Sequence, residues 1–226
     1  MVEEFDELFR NHLMNVYRIL GREVPDHLKI PILRKGKQAK ATLEQVGLIR
    51  PAVDGHVTSY FEWLSAGFYD TTKTGAAMHQ VHYLVSRIYY GCDLERLYLR
   101  FDFSPPSNEV RSRDYVLLVH FLEPSPRRLH LRLSPEGTRP VAILFQNNED
   151  REWIKVEEQP EAAMAEILEL SLRLAALGAQ GDQEVRFFVT VSQPEGEDRE
   201  IERWPSRGYI SQVIPTADFD ALRWSV

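Results

Sequence analysis

The chain has 226 residues, of which 43% are hydrophobic, and its formal net charge is −7 at pH 7. This acidic balance argues against nucleic acid as a partner, because phosphate binding needs a basic surface. The single cysteine, Cys92, excludes an internal disulfide. No apolar run approaches the ~20 residues that cross a bilayer, and the acidic start MVEEFDELFR is unlike a signal peptide. We therefore expect a cytoplasmic protein with no membrane partner.

Residues 3–20 are predicted to form an amphipathic helix. Apolar side chains recur there at three- and four-residue steps, which makes one continuous stripe along the helix. Arg18 suits the negative end of the helix dipole, and Gly21 is expected to end the helix.

An irregular connector is predicted between Pro25 and Asp54, where prolines and glycines interrupt a basic run. We expect residues 1–50, the helix and most of the connector, to pack on a second domain formed by residues 51–226.

After Gly75 the sequence changes to the two-residue period that is typical of β-strands. In MHQVHYLVSRIYY, Val85 and Tyr89 are expected on one face of a strand, and Ile88 and Tyr90 on the other. Further strands are predicted around residues 97–103, 115–122, 129–133, 141–145, 153–157, 185–191 and 209–214.

The stretch AEILELSLRLAALG (165–178) is ambiguous, because it consists of good helix formers but has leucines in strict alternation. Binary pattern outweighs single-residue propensity, so we predict a strand that runs into a short turn at Ala175–Gly178. Nine or ten short strands without long helices between them predict a mainly β protein. The expected fold is an antiparallel β-sandwich, jelly-roll or DOMON-like, preceded by the helix and connector.

The stretch DGHVTSYFEWLSAGFYD (54–70) combines aromatic rings with a carboxylate. Such a pattern is typical of a sugar-binding cleft, where rings stack on sugar faces and polar groups bind hydroxyls, but also of a buried strand with a turn. In a two-residue period, Tyr60 and Glu62 would share one face while Phe61 and Trp63 share the other. Across the whole chain, the candidate carbohydrate-binding residues are Tyr60, Glu62, Trp63, Tyr69, Trp153 and Trp204.

The sequence contains no nucleophile elbow, P-loop or dinucleotide-binding motif, so no cofactor is expected. His79 and His82 would point to opposite faces of a strand, which makes joint metal ligation improbable and leaves no metal expected. Glycoside hydrolysis needs two carboxyl groups across the scissile bond. Five acids qualify by residue type alone: Asp54, Glu62, Asp70, Asp93 and Asp102. Turn caps and surface charges are the favoured interpretation of these acids, so no residue is predicted to be catalytic.

The chain resembles the C-terminal region of family-57 glycoside hydrolases, of the amylase and amylopullulanase type. The similar stretches include FDELFRNHLMNVYRILG, VPDHLKIPI, DGHVTSYFEWLSAGFYD, GAAMH and YYGCDLERLYLRFDF. The end of the chain, ILELSLRLAALG through ERWPSRGYISQVIPTADFDALRWSV, is also similar to DOMON-like and family-9 carbohydrate-binding modules. The catalytic pair of the hydrolase family lies in an N-terminal barrel that has no counterpart in this sequence.

The resemblance implies a non-catalytic accessory sandwich that binds α-glucan or an oligosaccharide and belongs with a catalytic glycoside hydrolase domain, in the same chain or a separate one. A structural module that stabilises such a barrel without binding sugar is the alternative, and a stand-alone glycoside hydrolase is a less favoured one. In the structural role, four residues of the helix stripe would dock to the partner: Phe5, Phe9, Leu13 and Tyr17.

Overall fold

The computed structural model describes residues 2–22, 24, 43–73, 83–105, 110, 115–133, 139–148, 152–156, 160–193, 199–217 and 219. The chain divides into two compact units, Met1–Lys37 and Gln38–Val226. The second unit thus starts before residue 51, where the sandwich was expected to begin. The expected packing of the helix on the sandwich stays a prediction.

The first unit contains the predicted helix, α1, at Val2–Ile19. Its last turn closes with a hydrogen bond from the Arg22 N–H to the Tyr17 carbonyl, and Gly21 adopts a φ of +65°. That left-handed conformation suits glycine, so the predicted stop signal is confirmed. No helix among the described residues is both long and apolar enough to span a membrane.

The second unit is mainly β, with two antiparallel sheets, as predicted. Its described part contains twelve strands: β1 (Gly67–Asp70), β2 (Val85–Cys92), β3 (Arg96–Phe103), β4 (Val116–Glu123), β5 (Arg127–Arg132), β6 (Val141–Asn147), β7 (Trp153–Lys155), β8 (Glu161–Met164), β9 (Leu168–Arg173), β10 (Glu184–Gln193), β11 (Arg199–Trp204) and β12 (Ile210–Val213). The five-stranded sheet has the order β1-β2-β3-β9-β8. The seven-stranded sheet has the order β11-β10-β4-β5-β6-β7, with β12 also paired to β10.

The core lies between the sheets and consists of the alternating apolar residues. The Tyr90 ring of one sheet packs edge-on against Phe187 of the other, with 6.1 Å between centroids. Each fully buried large apolar side chain contributes about 1.5–3 kcal/mol relative to exposure. The fully buried members include Leu97, Leu99, Phe101, Leu117, Val119, Leu129, Leu131, Leu168, Leu170, Val185, Phe187, Val189 and Val191.

Strand β9 and the turn of 3-10 helix at Leu174–Leu177 confirm the choice of strand over helix for this leucine-rich stretch. The predicted faces of β2 need a correction, because a β-bulge shifts the register between Val85 and Arg87. As a result Val85 is fully buried together with Ile88 and Tyr90, while Tyr89 lies on the outer face.

Residues 43–66 form no helix or extended strand, yet they are bound to the five-stranded sheet. The Ile49 N–H donates to the Cys92 carbonyl at 3.3 Å. The Gln45 side chain accepts from the Cys92 N–H at 2.9 Å and from Gln212 Nε2 at 2.7 Å, so it connects this segment to both sheets.

Candidate functional site

Residues 43–66, which we call the covering segment, lie over the outer face of the five-stranded sheet, and Trp63 of the stretch 54–70 is buried there. Trp63 is 6% exposed and packs with Ile49, Ala66 and Tyr98. Its Nε1–H donates to Glu169 Oε1 on β9 at 2.9 Å. The interpretation of this stretch as a core element is therefore correct for Trp63, and its ring has no face open to a ligand.

Glu169 holds this stretch in place. Its other oxygen, Oε2, accepts from the N–H groups of Gly55 at 3.0 Å and Asp54 at 3.3 Å. Burial raises the pKa of Glu169, while its hydrogen bonds to Gly55, Trp63 and Asp54 oppose the rise. Both carboxylate oxygens are occupied by donors from the covering segment, which gives Glu169 an anchoring role.

The predicted two-residue period of 60–63 is wrong, because these residues form consecutive turns. The Glu62 N–H donates to the Ser59 carbonyl and the Leu64 N–H to the Phe61 carbonyl. Tyr60 and Phe61 are consequently both exposed, at 75% and 76%, and touch edge to face. Glu62 Oε1 accepts from the Thr58 hydroxyl at 2.7 Å, while its Oε2 is buried without a hydrogen-bond partner.

Two more predicted sugar-stacking rings are core residues. Tyr69 is 3% exposed on β1, and Trp204 is 3% exposed on β11. Trp204 packs edge-on against Tyr83, with 4.6 Å between centroids, and donates to Glu202 Oε2 at 3.0 Å. The charged neighbours of Trp204 suggested a surface position, but strand alternation turns this ring inward.

The acids considered for hydrolysis have local partners. Asp93 accepts from the Glu95 and Arg96 N–H groups and from the Tyr98 hydroxyl. Three others are also engaged: Asp54 by the His56 N–H, Asp70 by Thr72, and Asp102 by Arg100. They serve as turn caps and ion-pair partners, but Asp70 and Asp93 are buried rather than surface charges.

The seven-stranded sheet presents a different outer face. Trp153, the remaining predicted tryptophan, lies there at 37% exposure. Six side chains, one from each of six neighbouring strands, cross this face, and we call them the outer row: Arg203 (β11), Phe188 (β10), His120 (β4), Arg128 (β5), Phe145 (β6) and Trp153 (β7). The four central members are direct cross-strand partners, whereas Arg203 and Trp153 are paired with Thr190 and Asn147 and lie diagonally at the two ends. At about 4.8 Å per strand, the row is roughly 24 Å long.

Ring and cation contacts join the members of the outer row. His120 stacks on Phe188 with 4.4 Å between centroids and 3° between planes. The Arg203 guanidinium lies 4.2 Å from the Phe188 ring centroid, and that of Arg128 lies 4.4 Å from the Trp153 centroid. Each cation therefore rests on a ring face, where the ring's quadrupole attracts it.

His120 is neutral in this setting. Its pKa is lowered to about 4, first by burial and in addition by the positive charges of Arg128, His130 and Arg203. Its Nε2 lies 3.0 Å from the Thr190 hydroxyl. The neutral ring can both stack and hydrogen-bond.

Arg128 is the least satisfied polar residue of the row. Its Nε is buried without a hydrogen-bond partner. Arg203, by contrast, donates to the carbonyls of Pro205 and Gly208. A buried donor without an acceptor destabilises a fold by about 1–3 kcal/mol, and such donors are uncommon in folded proteins. The unpartnered Nε of Arg128 therefore calls for an explanation.

A groove of about 460 Å³ adjoins the β7 end of the row. Lys155, which is paired with Phe145, lines it together with Arg139, Ile143 and Glu161. The outer face thus continues into a concave region.

Other predicted features have a smaller role. Cys92 is fully buried, and burial raises the pKa of its thiol, so it is unsuited to act as a nucleophile.

The described residues contain no group of three metal-ligating side chains; His79 and His82 lie outside the described part of the chain. Of the docking candidates, Phe9 is exposed while Leu13 and Tyr17 are half-buried. The side chain of Phe5 lies outside the described part.

Sequence reasoning found only Trp153 of the outer row. Phe188, His120 and Arg128 come from three strands, and their alignment depends on strand pairing. The available signal was the alternation of Arg128, His130 and Arg132 with leucines, which marks an outward cationic face.

Comparison with known proteins finds no protein-family model and no curated protein that matches the chain.

Proposed function

We propose that this protein is a non-catalytic, carbohydrate-binding accessory domain, and that the outer row is its ligand surface. The observation that supports this most is a line of half-exposed rings and guanidinium groups on one sheet face. Rings offer flat apolar surface to the C–H faces of sugars, and the neighbouring polar groups can bind hydroxyls. The length of the row suits an extended oligosaccharide better than a single sugar.

The resemblance to the C-terminal region of family-57 hydrolases supports α-glucan as the ligand class. In this proposal the sandwich holds a glucan close to a catalytic glycoside hydrolase domain and does no chemistry itself. The carboxylates on the other sheet are engaged in turns and ion pairs, which fits a domain that binds glucan without hydrolysing it.

Affinity electrophoresis in gels that contain glycogen, amylose or pullulan tests the proposal. We expect Trp153→Ala to weaken retardation about tenfold, the equivalent of ~1.4 kcal/mol. Tyr60→Ala is the matched control, because it removes an exposed ring from the other sheet. Retardation that is lost with Tyr60→Ala and kept with Trp153→Ala would place the site on the covering segment. No retardation on any glucan or on other polysaccharides contradicts the proposal.

A second candidate function, docking to a catalytic barrel without binding sugar, is favoured by the exposed apolar residues of the covering segment. Val57, Tyr60, Phe61 and Leu64 are each about half exposed or more. Single exposed apolar residues are ordinary, but a close group of them marks an interaction surface.

Co-sedimentation with a family-57 catalytic barrel tests this alternative. The double variant Tyr60→Ser/Phe61→Ser should abolish the complex, while Trp153→Ala should leave it intact. A complex that survives the double variant counts against docking through this segment.

A further inference from the structure

We propose that the outer row selects carbohydrates that carry anionic substituents, phosphate or carboxylate, with Arg128 as the residue that contacts the anion. This inference rests on the proposed function and names its ligand class. It is carried by the charge pattern of the face, the unpartnered guanidinium and the surrounding rings.

The first step is the local charge balance of the face. Arg128 and Arg203 lie on the row, and Lys155 is the cross-strand partner of Phe145. None of these three has an ion-pair partner among the described residues. The row is therefore locally cationic, although the chain as a whole carries a net charge of −7.

The acids of the same sheet do not neutralise the centre of the row. Glu184 is bound to Arg186 and to Ser211 at the far end of β10. Burial lowers the pKa of Arg203 and the charge of Glu200 opposes this shift, but Glu200 is exposed on β11 at one end of the row. Arg128, in the middle, has no comparable neighbour.

The second step is the geometry of Arg128. Its guanidinium carbon lies 4.4 Å from the Trp153 ring centroid, and its enclosed Nε has no acceptor. The guanidinium is a planar fork of donors that matches the oxygens of phosphate or carboxylate. An anionic oxygen at the terminal nitrogens would compensate a charge that has no carboxylate partner among the described residues, which a neutral sugar hydroxyl does only weakly.

The third step separates a substituted sugar from a free anion or a nucleic acid. The rings of Phe188, Phe145 and Trp153 add apolar surface that a free phosphate does not use. The acidic chain repels long polyanions over distance, so recognition depends on short-range contact with a substituent. A neutral polymer with sparse anionic groups meets both conditions.

Matched polymers provide the test. Wild-type protein is run in gels with phosphorylated amylopectin and with the same polymer after phosphatase treatment. Sparsely carboxymethylated amylose and unmodified amylose form a second pair, which tells carboxylate from phosphate. For at least one pair, we expect the neutral polymer to retard the protein at least tenfold more weakly than the anionic polymer at low salt. The difference between the two polymers should be smaller at high salt, because salt screens the charges.

Variants of Arg128 assign the effect to this residue. Arg128→Met keeps the length of the side chain and should weaken binding of the anionic polymer more than binding of the neutral polymer, so the difference within the pair should shrink. Arg128→Lys should restore part of it, because the charge returns without the planar fork. The inference is overturned if Arg128→Met weakens retardation by both polymers of a pair equally, or if wild-type protein shows no difference between them. The carbohydrate-binding proposal still stands in that case if Trp153→Ala weakens retardation. Tighter binding of a single-stranded oligonucleotide than of any polysaccharide also overturns it.

NMR titration of His120 measures its pKa, which a purely structural role of Arg128 would leave unchanged when the ligand binds. The charged groups that face this ring are Arg128, Arg203 and His130, with the Thr190 hydroxyl as its hydrogen-bond partner. Phosphorylated maltooligosaccharide bound at Arg128 should raise the His120 pKa, whereas unmodified maltooligosaccharide should not. The His120 signal is assigned with His120→Gln. An unchanged pKa at a saturating concentration of the phosphorylated ligand contradicts the inference.

Discussion

Arg100 and Arg128 lie on the outer faces of the two sheets and each rests on an aromatic ring, yet their surroundings differ. The Arg100 guanidinium is 4.7 Å from the Tyr89 centroid, and Asp102, two residues along the same strand, accepts from it at 2.7 and 3.2 Å. Arg128 is 4.4 Å from the Trp153 centroid but has no carboxylate and an unpartnered Nε.

This difference extends to the two faces as a whole. The face of the five-stranded sheet is covered by residues 43–66, and two of its acids, Glu169 and Asp102, are matched by donors. The face of the seven-stranded sheet keeps rings and cations partly accessible. The same residue types therefore stabilise the fold on one sheet and remain available for binding on the other. The predictions below test that contrast from the largest effect to the smallest.

Loss of the Glu169 anchor should have the largest effect. Glu169→Ala leaves three donors, two of them buried, without an acceptor and should lower the free energy of unfolding by about 3–5 kcal/mol. Glu169→Gln keeps one acceptor oxygen and should cost less, about 1–2 kcal/mol. Urea unfolding, followed by fluorescence of the tryptophans, measures both changes.

The neighbouring acid Glu161 is the control for this prediction. Its side chain is 62% exposed and contacts Ser171 and Arg96 on the same sheet. Glu161→Ala should change stability by less than ~0.5 kcal/mol. Equal effects of the two substitutions would show that the covering segment does not depend on Glu169.

The two arginines should respond in opposite ways to the same substitution. Arg100→Met leaves the mostly buried Asp102 without its guanidinium partner and should destabilise the fold by about 2–3 kcal/mol. Arg128→Met removes an unsatisfied donor and should be neutral or stabilising by ~0.5 kcal/mol. Chemical denaturation measures the free energy of unfolding of both variants. A large decrease in Arg128→Met would mean that this arginine has a structural role.

The smallest effect concerns pH. Because the pKa of His120 is about 4 in the folded protein and near 6.5 in an unfolded chain, the unfolded state binds more protons between these values. Stability should therefore fall as the pH is lowered from 6.5 to 4, by on the order of 1 kcal/mol after solvent screening.

His120→Gln should flatten this part of the stability profile, because glutamine does not titrate. Unfolding midpoints measured at half-unit pH steps compare the two proteins. Identical slopes for wild-type and His120→Gln protein would contradict the prediction.

Much of the fold was predictable because it depends on local alternation. Leu168, Leu170 and Leu172 identify a strand despite their helix propensity, and Gly21 identifies the end of α1. Strand β1 was missed, since its residues Gly67–Asp70 do not alternate between apolar and polar. The edge strands β8 and β11 were missed for a related reason, because their outward residues obscure the pattern.

The candidate site was predictable only in part, since it depends on contacts that are distant in sequence. Trp63 reads like an exposed sugar platform until Glu169, 106 residues away, is seen to bind its Nε1–H. Trp204 is turned inward by its pairing opposite Val189. Trp153 joins Arg128 only after β5, β6 and β7 are aligned, and no local pattern encodes that alignment.

The side chain of Gln45 also determines how far the chain can be shortened from its N-terminal side. Besides the bonds from Cys92 and Gln212, it donates to the carbonyls of Gly47 and Cys92. A fragment that starts at residue 51 would leave the Gln212 amide and the Cys92 backbone without these partners inside the protein. The smallest autonomous sandwich therefore includes the stretch before residue 51, which has no regular secondary structure but completes the domain.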